Sequence, residues 1–285
     1  MVAHSHHRQR LRSDADHDLR TWVSTCLERL DPALALIASG SMDPEAVHQA
    51  RVALRRIRVA FSLVEGCPHT APIQTQDPLV ALFRGLGTHR DNDMQQSLLS
   101  GMLGQRWSDW AMTQIAATPK AHPTDRQTLV RDTRHRMALN ALRAWAALPQ
   151  SQTASRGTPW RQHLQKRLQQ WHRRVQSDAL GFDKMEVEAV HRLRKRLKRL
   201  RYALNFLYQQ HARPDVKAYL RQLAPLQEAL GDFNDAHTAM HHCAQWRPSA
   251  DQATCLAWLD FQQAQARARA KTLLGCLDTD LPSLW

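Results

Sequence analysis

The chain has 285 residues, enough for one large or two smaller domains with a real core. Its 39 Lys and Arg against 26 Asp and Glu give a net charge of +13, so the expected partner is a polyanion: nucleic acid, an acidic membrane surface or a phosphate polymer. Five scattered cysteines without a CxxC argue against a disulfide framework and a zinc ribbon, and no apolar run approaches the roughly 18 residues of a membrane span, so a soluble protein of the reducing cytoplasm is expected.

Residues 1–13 are basic and His-rich and read as a disordered arm. Leu19, Trp22, Val23, Cys26, Leu27, Leu30, Leu34 and Ile37 then recur at helical intervals, predicting a helix that ends near Ser39-Gly40. Asp43-Pro44-Glu45 supplies an N-cap, a proline at the first helical position and an early acid for the next helix, which carries VHQARVALRRIRVAFSLV over Val47–Val64. A third helical pattern holds Leu79, Leu82, Phe83 and Leu86, passes through LGTHRDNDM and runs on toward Trp110. A fourth carries Leu129, Met137, Leu142, Trp145 and Leu148, and Pro149 to Pro159 reads as a linker.

After the linker the order repeats. A basic helix from Trp160 to about Ser177 leads to VHRLRKRLKRLRYALNFL at Val190–Leu207, then to a helix containing LAPLQEALGDFNDAHTA and a last one through Leu274. No stretch alternates as a strand would. The expected fold is therefore all-α: two four-helix bundles related by a pseudo-twofold axis, covering 14–149 and 159–277, with a linker at 150–158 and a tail at 278–285.

The two basic runs align without a gap, His48 standing 143 residues before His191. On a helix, His48, Arg51, Arg55 and Arg58 fall within about 80° of one another, as do His191, Arg194, Lys198 and Arg201, while the apolar residues lie opposite. An ordinary solvated face intersperses acids that relieve like-charge repulsion, and neither stripe contains one. Both stripes therefore point to an anion-binding surface, and facing stripes would make one basic groove or pore. Each histidine is equally well read as a structural residue or as a ligand. The paired segments at Leu86-Gly87 and Leu230-Gly231 suggest close backbone approach or a relaxed helix at the glycines. Asp91 and Asp235 there would support an arginine through an ion pair.

These motifs, VHQARVALRRIR with LGTHRDNDM and VHRLRKRLKRLRYAL with LQEALGDFNDA, resemble the two half-motifs of the CHAD domain, the conserved histidine α-helical domain. The resemblance runs from about Leu19 to about Leu277. It implies two four-helix bundles with a basic pore and non-catalytic binding of inorganic polyphosphate, on polyphosphate granules in bacteria, without a cofactor. Carried over by residue, the binding set is His48, Arg51, Arg55, Arg56, Arg58 and Arg90, and His191, Arg194, Lys195, Lys198, Arg199 and Arg201. Structural support would come from Gly87, Asp91, Gly231 and Asp235. Asn234 stands where the first half has Arg90, so the halves need not contribute equally. The ExExK motif of the tunnel hydrolases to which such domains are often fused is absent; Glu186-Val187-Glu188 leads into a helix instead.

Two other functions compete. A nucleic-acid-binding helical protein would share the charge, but no helix-turn-helix, zinc-finger or RNP signature occurs, and Trp22, Trp145, Trp171 and Trp258 sit at core spacing rather than as stacking platforms. A metal-dependent phosphohydrolase could use His237 and His241 at i,i+4, yet these lack the glutamate of an HExxH base. Other polyanions remain candidate partners, and a membrane is not expected.

Overall fold

The computed structural model describes residues 2–41, 43–67, 70–87, 110, 113–114, 123–148 and 158–284. The fold is all-α, and among the described residues no strand forms. Two compact units divide the chain: Met1–Asp93 with Lys120–Lys166, and Met94–Pro119 with Arg167–Trp285. These limits differ from the two halves read from the sequence: Met94–Pro119 groups with the second unit, and the limit near Lys166 falls inside the helix Thr158–Leu180.

In the first unit, α1 (Val2–Ala38) begins within the segment read as a disordered arm. Its apolar stripe, from Leu19 through Trp22, Leu30 and Ile37, is buried. The helix stops where the sequence places its end: Gly40 takes φ 92°, and the Ser41 amide folds back to the Leu36 carbonyl at 3.1 Å. Arg131 donates to the Ala38 carbonyl at 2.7 Å, satisfying an orphan acceptor of that end. Helix α2 (Pro44–Val64) starts on Asp43, whose carboxylate accepts from the Glu45 amide at 2.9 Å.

A 3-10 turn at Ile73–Thr75 leads into α3, described over 76–87, with Leu79, Leu82 and Leu86 buried. The onward run toward Trp110, together with Arg90 and Asp91, lies outside the described residues, apart from helical positions at 110 and 113–114. The helix expected around Leu129 to Leu148 is two helices, α4 (Pro123–Arg131) and α5 (Thr133–Ala146). Asp132 divides them because its carboxylate captures the amides of Arg134 and His135, the local competition that makes Asp a cap rather than a helix-interior residue. Leu142 and Trp145 of the expected apolar set are buried, but Met137 and Leu148 are exposed, and Val130 and Leu139 point inward in their place.

Helix α6 (Thr158–Leu180) bridges the unit limits. In the second unit it is followed by a 3-10 turn at Phe182–Lys184, then α7 (Val187–His211), α8 (Pro214–Cys243) and α9 (Ala250–Gly275). Helix α8 packs against both α7 and α9, and in the first unit α1 packs against α2, α4 and α5. Arg267 of α9 secures the break before α7 by donating to the carbonyls of Phe182, Asp183 and Met185 at 3.0, 3.1 and 2.6 Å. The chain after α9 folds back, and His172 and Gln176 donate to the Thr279 carbonyl at 3.2 and 2.6 Å.

Candidate functional site

Each unit holds one of the repeated basic helices, and the partner helix carrying the Leu-Gly pair decides what its cations face. In the first unit, α2 buries Ala50, Leu54, Ile57 and Phe61. The opposite flank carries Arg51, Arg55 and Arg58, and all three guanidinium carbons lie over the ring of Phe83 in α3, at 4.7, 5.5 and 5.1 Å from its centroid. These distances are within cation–π range. Arg51 also donates from Nη1 to the Phe83 carbonyl at 3.0 Å. Among the described residues no carboxylate pairs with Arg55 or Arg58. Partial desolvation, then repulsion from Arg84 and Arg55, holds Arg58 below its usual pKa. A cluster in that condition is stabilised by any anion that screens its charges.

Gly87 serves this cluster. A Cβ placed there would lie 2.4 Å from Arg51 Nη1, so the glycine makes room for a guanidinium, not for the backbone approach expected from the sequence. Gly231, its counterpart 144 residues later, has nothing within 4 Å of the same position.

In the second unit, α7 buries Leu193, Leu197, Leu200 and Leu204. Arg194, Lys198 and Arg201 line an open pocket of about 560 Å³ against α8, whose contribution includes Gln227, Glu228, Gly231 and Asp232. The pocket is therefore not purely cationic, although Asp232 is engaged by Arg269. Lys195 is exposed on the same flank of α7.

His191 is half-buried, and its Nδ1 donates to Asn234 Oδ1 at 2.6 Å. The Asn234 amide in turn reaches Asp235 Oδ1 at 3.5 Å. Fixing Nδ1 in this way leaves Nε2 as the nitrogen available to a ligand. Burial depresses the His191 pKa; the Asn234 bond opposes this, and the charges of Lys195, Arg194 and Lys198 add to the depression. Among the described residues Asp235 makes no ion pair with an arginine, and its carboxylate meets the Asn234 amide instead. His48 occupies the equivalent half-buried place on α2.

Arg56 and Arg199 leave the stripes. They sit about 80° from their histidines, on the flank facing the neighbouring helix. Arg56 acts electrostatically on Cys26 of α1, and Arg199 lies over Trp171 of α6 at 4.4 Å. Phe83 is the site residue that sequence reasoning misses, because its spacing places it in one apolar pattern with Leu79, Leu82 and Leu86. The available signal was its place on α3 one turn before Gly87.

The tryptophans of the nucleic-acid reading are core residues or their neighbours. Trp22, Trp145 and Trp171 are buried, and Trp258 packs against the cluster around Cys243 and Cys255. His241 contacts Gln245 at 3.1 Å and stacks edge-on with His242. Among the described residues no three His, Cys, Asp or Glu side chains gather as a metal-binding set, and no helix is long and apolar enough to cross a membrane.

The sequence model of one family, the CHAD domain, matches residues 6–244. The crystal structure of the CHAD domain from the plant Ricinus communis is similar at a TM-score of 0.69 and 26% identity, over 92% of each chain. PptA from Streptomyces chartreusis is similar in fold at a TM-score of 0.62 and 15% identity, over 91% of this chain and 99% of that one. No curated protein matches the sequence.

Proposed function

The chain belongs to the CHAD domain family, and on that premise we propose that it binds inorganic polyphosphate without cleaving it, and does so on polyphosphate granules. The observation that carries the reading is the convergence of Arg51, Arg55 and Arg58 on one flank, with no carboxylate partner for Arg55 or Arg58 among the described residues. A row of guanidiniums offers paired N–H donors to phosphate oxygens, and successive phosphates of a polymer offer a repeating set of acceptors to match it. Arg194, Lys198 and Arg201 would add a second point of attachment, with His191 Nε2 as a donor when protonated.

The test is binding of long-chain polyphosphate to the wild type and to an Arg55→Glu, Arg58→Glu variant, with duplex DNA as competitor at matched salt. Loss of two charge-assisted contacts is expected to weaken binding by about a hundredfold, with steep salt dependence in the wild type. Unchanged affinity in the variant would refute the site, and preference for DNA would refute the ligand. Phosphate release from the bound polymer would refute the absence of cleavage.

A further inference from the structure

The two basic helices repeat closely, but the helices that back them do not. At the register that pairs Gly87 with Gly231, Phe83 corresponds to Gln227 and Arg84 to Glu228. The first unit thus places an aromatic ring beneath three arginines and a fourth arginine beside them. The second places an amide and a carboxylate in the wall of an open pocket.

We infer that Phe83 is a positioning residue that gathers Arg51, Arg55 and Arg58 into one preorganised anion site, making the α2–α3 face of the first unit the tight attachment point for the polyanion. The inference rests on the polyphosphate reading and specifies where its affinity lies. Three like charges on consecutive turns repel one another and would spread into solvent, each with several rotatable bonds to order on binding. The negative face of a ring offsets part of that repulsion and draws the guanidiniums toward one centre. Arg51 is fixed further by its bond to the Phe83 carbonyl and by the space left at Gly87. A phosphate polymer meeting this face finds its donors already ordered, which lowers the entropic cost of association. In the second unit Gln227 supplies no ring, and Glu228 carries the charge of the ligand itself.

The experiment measures polyphosphate affinity against salt concentration for the wild type and for Phe83→Leu and Phe83→Tyr. Phe83→Leu is expected to lose about tenfold in affinity and to show a shallower salt slope, because fewer cations engage the polymer together. Phe83→Tyr keeps the ring and is expected to bind as the wild type does. Wild-type affinity and slope in Phe83→Leu, or a tyrosine variant as weak as the leucine one, overturns the inference. The Arg55→Glu, Arg58→Glu variant separates the failures: if it loses binding while Phe83→Leu does not, only the role of Phe83 falls, and if it binds normally the polyphosphate site itself is wrong. Should Phe83→Leu not fold, the wild type decides by NMR: upfield ring-current shifts of the Arg51, Arg55 and Arg58 δ-protons are expected, and their absence overturns the inference.

Discussion

The guanidinium of Arg51 occupies the volume that any side chain at residue 87 would need, with Nη1 only 2.4 Å from the position of a Cβ on Gly87. The nearest atom is the far end of a flexible side chain, so Gly87→Ala should fold while moving Arg51 off Phe83. We expect polyphosphate affinity to fall several-fold with little change in melting temperature. Gly231→Ala meets nothing within 4 Å and should instead stabilise α8 by about 0.5–1 kcal/mol. Titration and thermal melts of both variants check the pair, and equal effects at the two glycines would contradict it.

Binding should take up a proton at His191. In the free protein its pKa is depressed by burial first, with Lys195, Arg194 and Lys198 also lowering it. A polyanion screens those cations, so the bound-state pKa is higher than the free one. Affinity should therefore rise as pH falls from the bound-state pKa toward the free-state pKa, then level off below it. The linkage to folding has its own sign: a histidine depressed below its unfolded value contributes stability that is complete above that value and declines as pH drops beneath it. His191→Ala should flatten the pH dependence of binding, read by calorimetry in buffers of different ionisation enthalpy.

Ala212 ends α7 at φ 47°, a left-handed conformation that costs a residue with a Cβ roughly 1 kcal/mol. The residue is exposed. Ala212→Gly should raise stability by about 0.5 kcal/mol, the larger unfolded-state entropy of glycine offsetting part of the relief. Denaturant midpoints measure the change.

The buried Tyr219 hydroxyl donates to His172 Nδ1 at 2.7 Å, while His172 Nε2 donates to the Thr279 carbonyl. Tyr219→Phe leaves Nδ1 buried without a donor and should destabilise the second unit by about 1–3 kcal/mol. Loosening of the segment around Thr279, read as faster amide exchange there, should accompany it.

Thiol labelling offers a further check. Burial pushes Cys26 up to about 12, whereas Cys276 is exposed. An alkylating reagent at neutral pH should modify Cys276 first and leave Cys26 intact in the folded protein.

Much of this was legible in the residues. The caps at Asp43-Pro44 and Ser39-Gly40 use local hydrogen bonds that the sequence states directly, and the amphipathic period of the two basic helices fixes which flank carries Arg51 or Arg194. What escaped depends on neighbours distant in sequence. Phe83 counts as apolar in any pattern, and only the approach of α2, whose Arg51 lies 32 positions earlier, makes its ring a surface for arginines. Asp235 looked like an arginine partner because the adjacent Asn234 gives no sign of bridging to His191, 43 residues away. Asp132 could cap as readily as sit in a helix, and periodicity alone does not choose between them.

The buried bond from the Trp160 indole to Asp18 spans 142 residues, and Arg143 closes on Asp31 across 112. Helix α1 is made before α6, and although Thr70 serves its buried Asp16 from 54 residues away, the indole that donates to its buried Asp18 comes 142 residues later. At the usual pace of translation Asp18 waits on the order of ten seconds for that donor. Closure of the first unit is thus a late, long-range event in the birth of the chain, one that waits for α6 to be made.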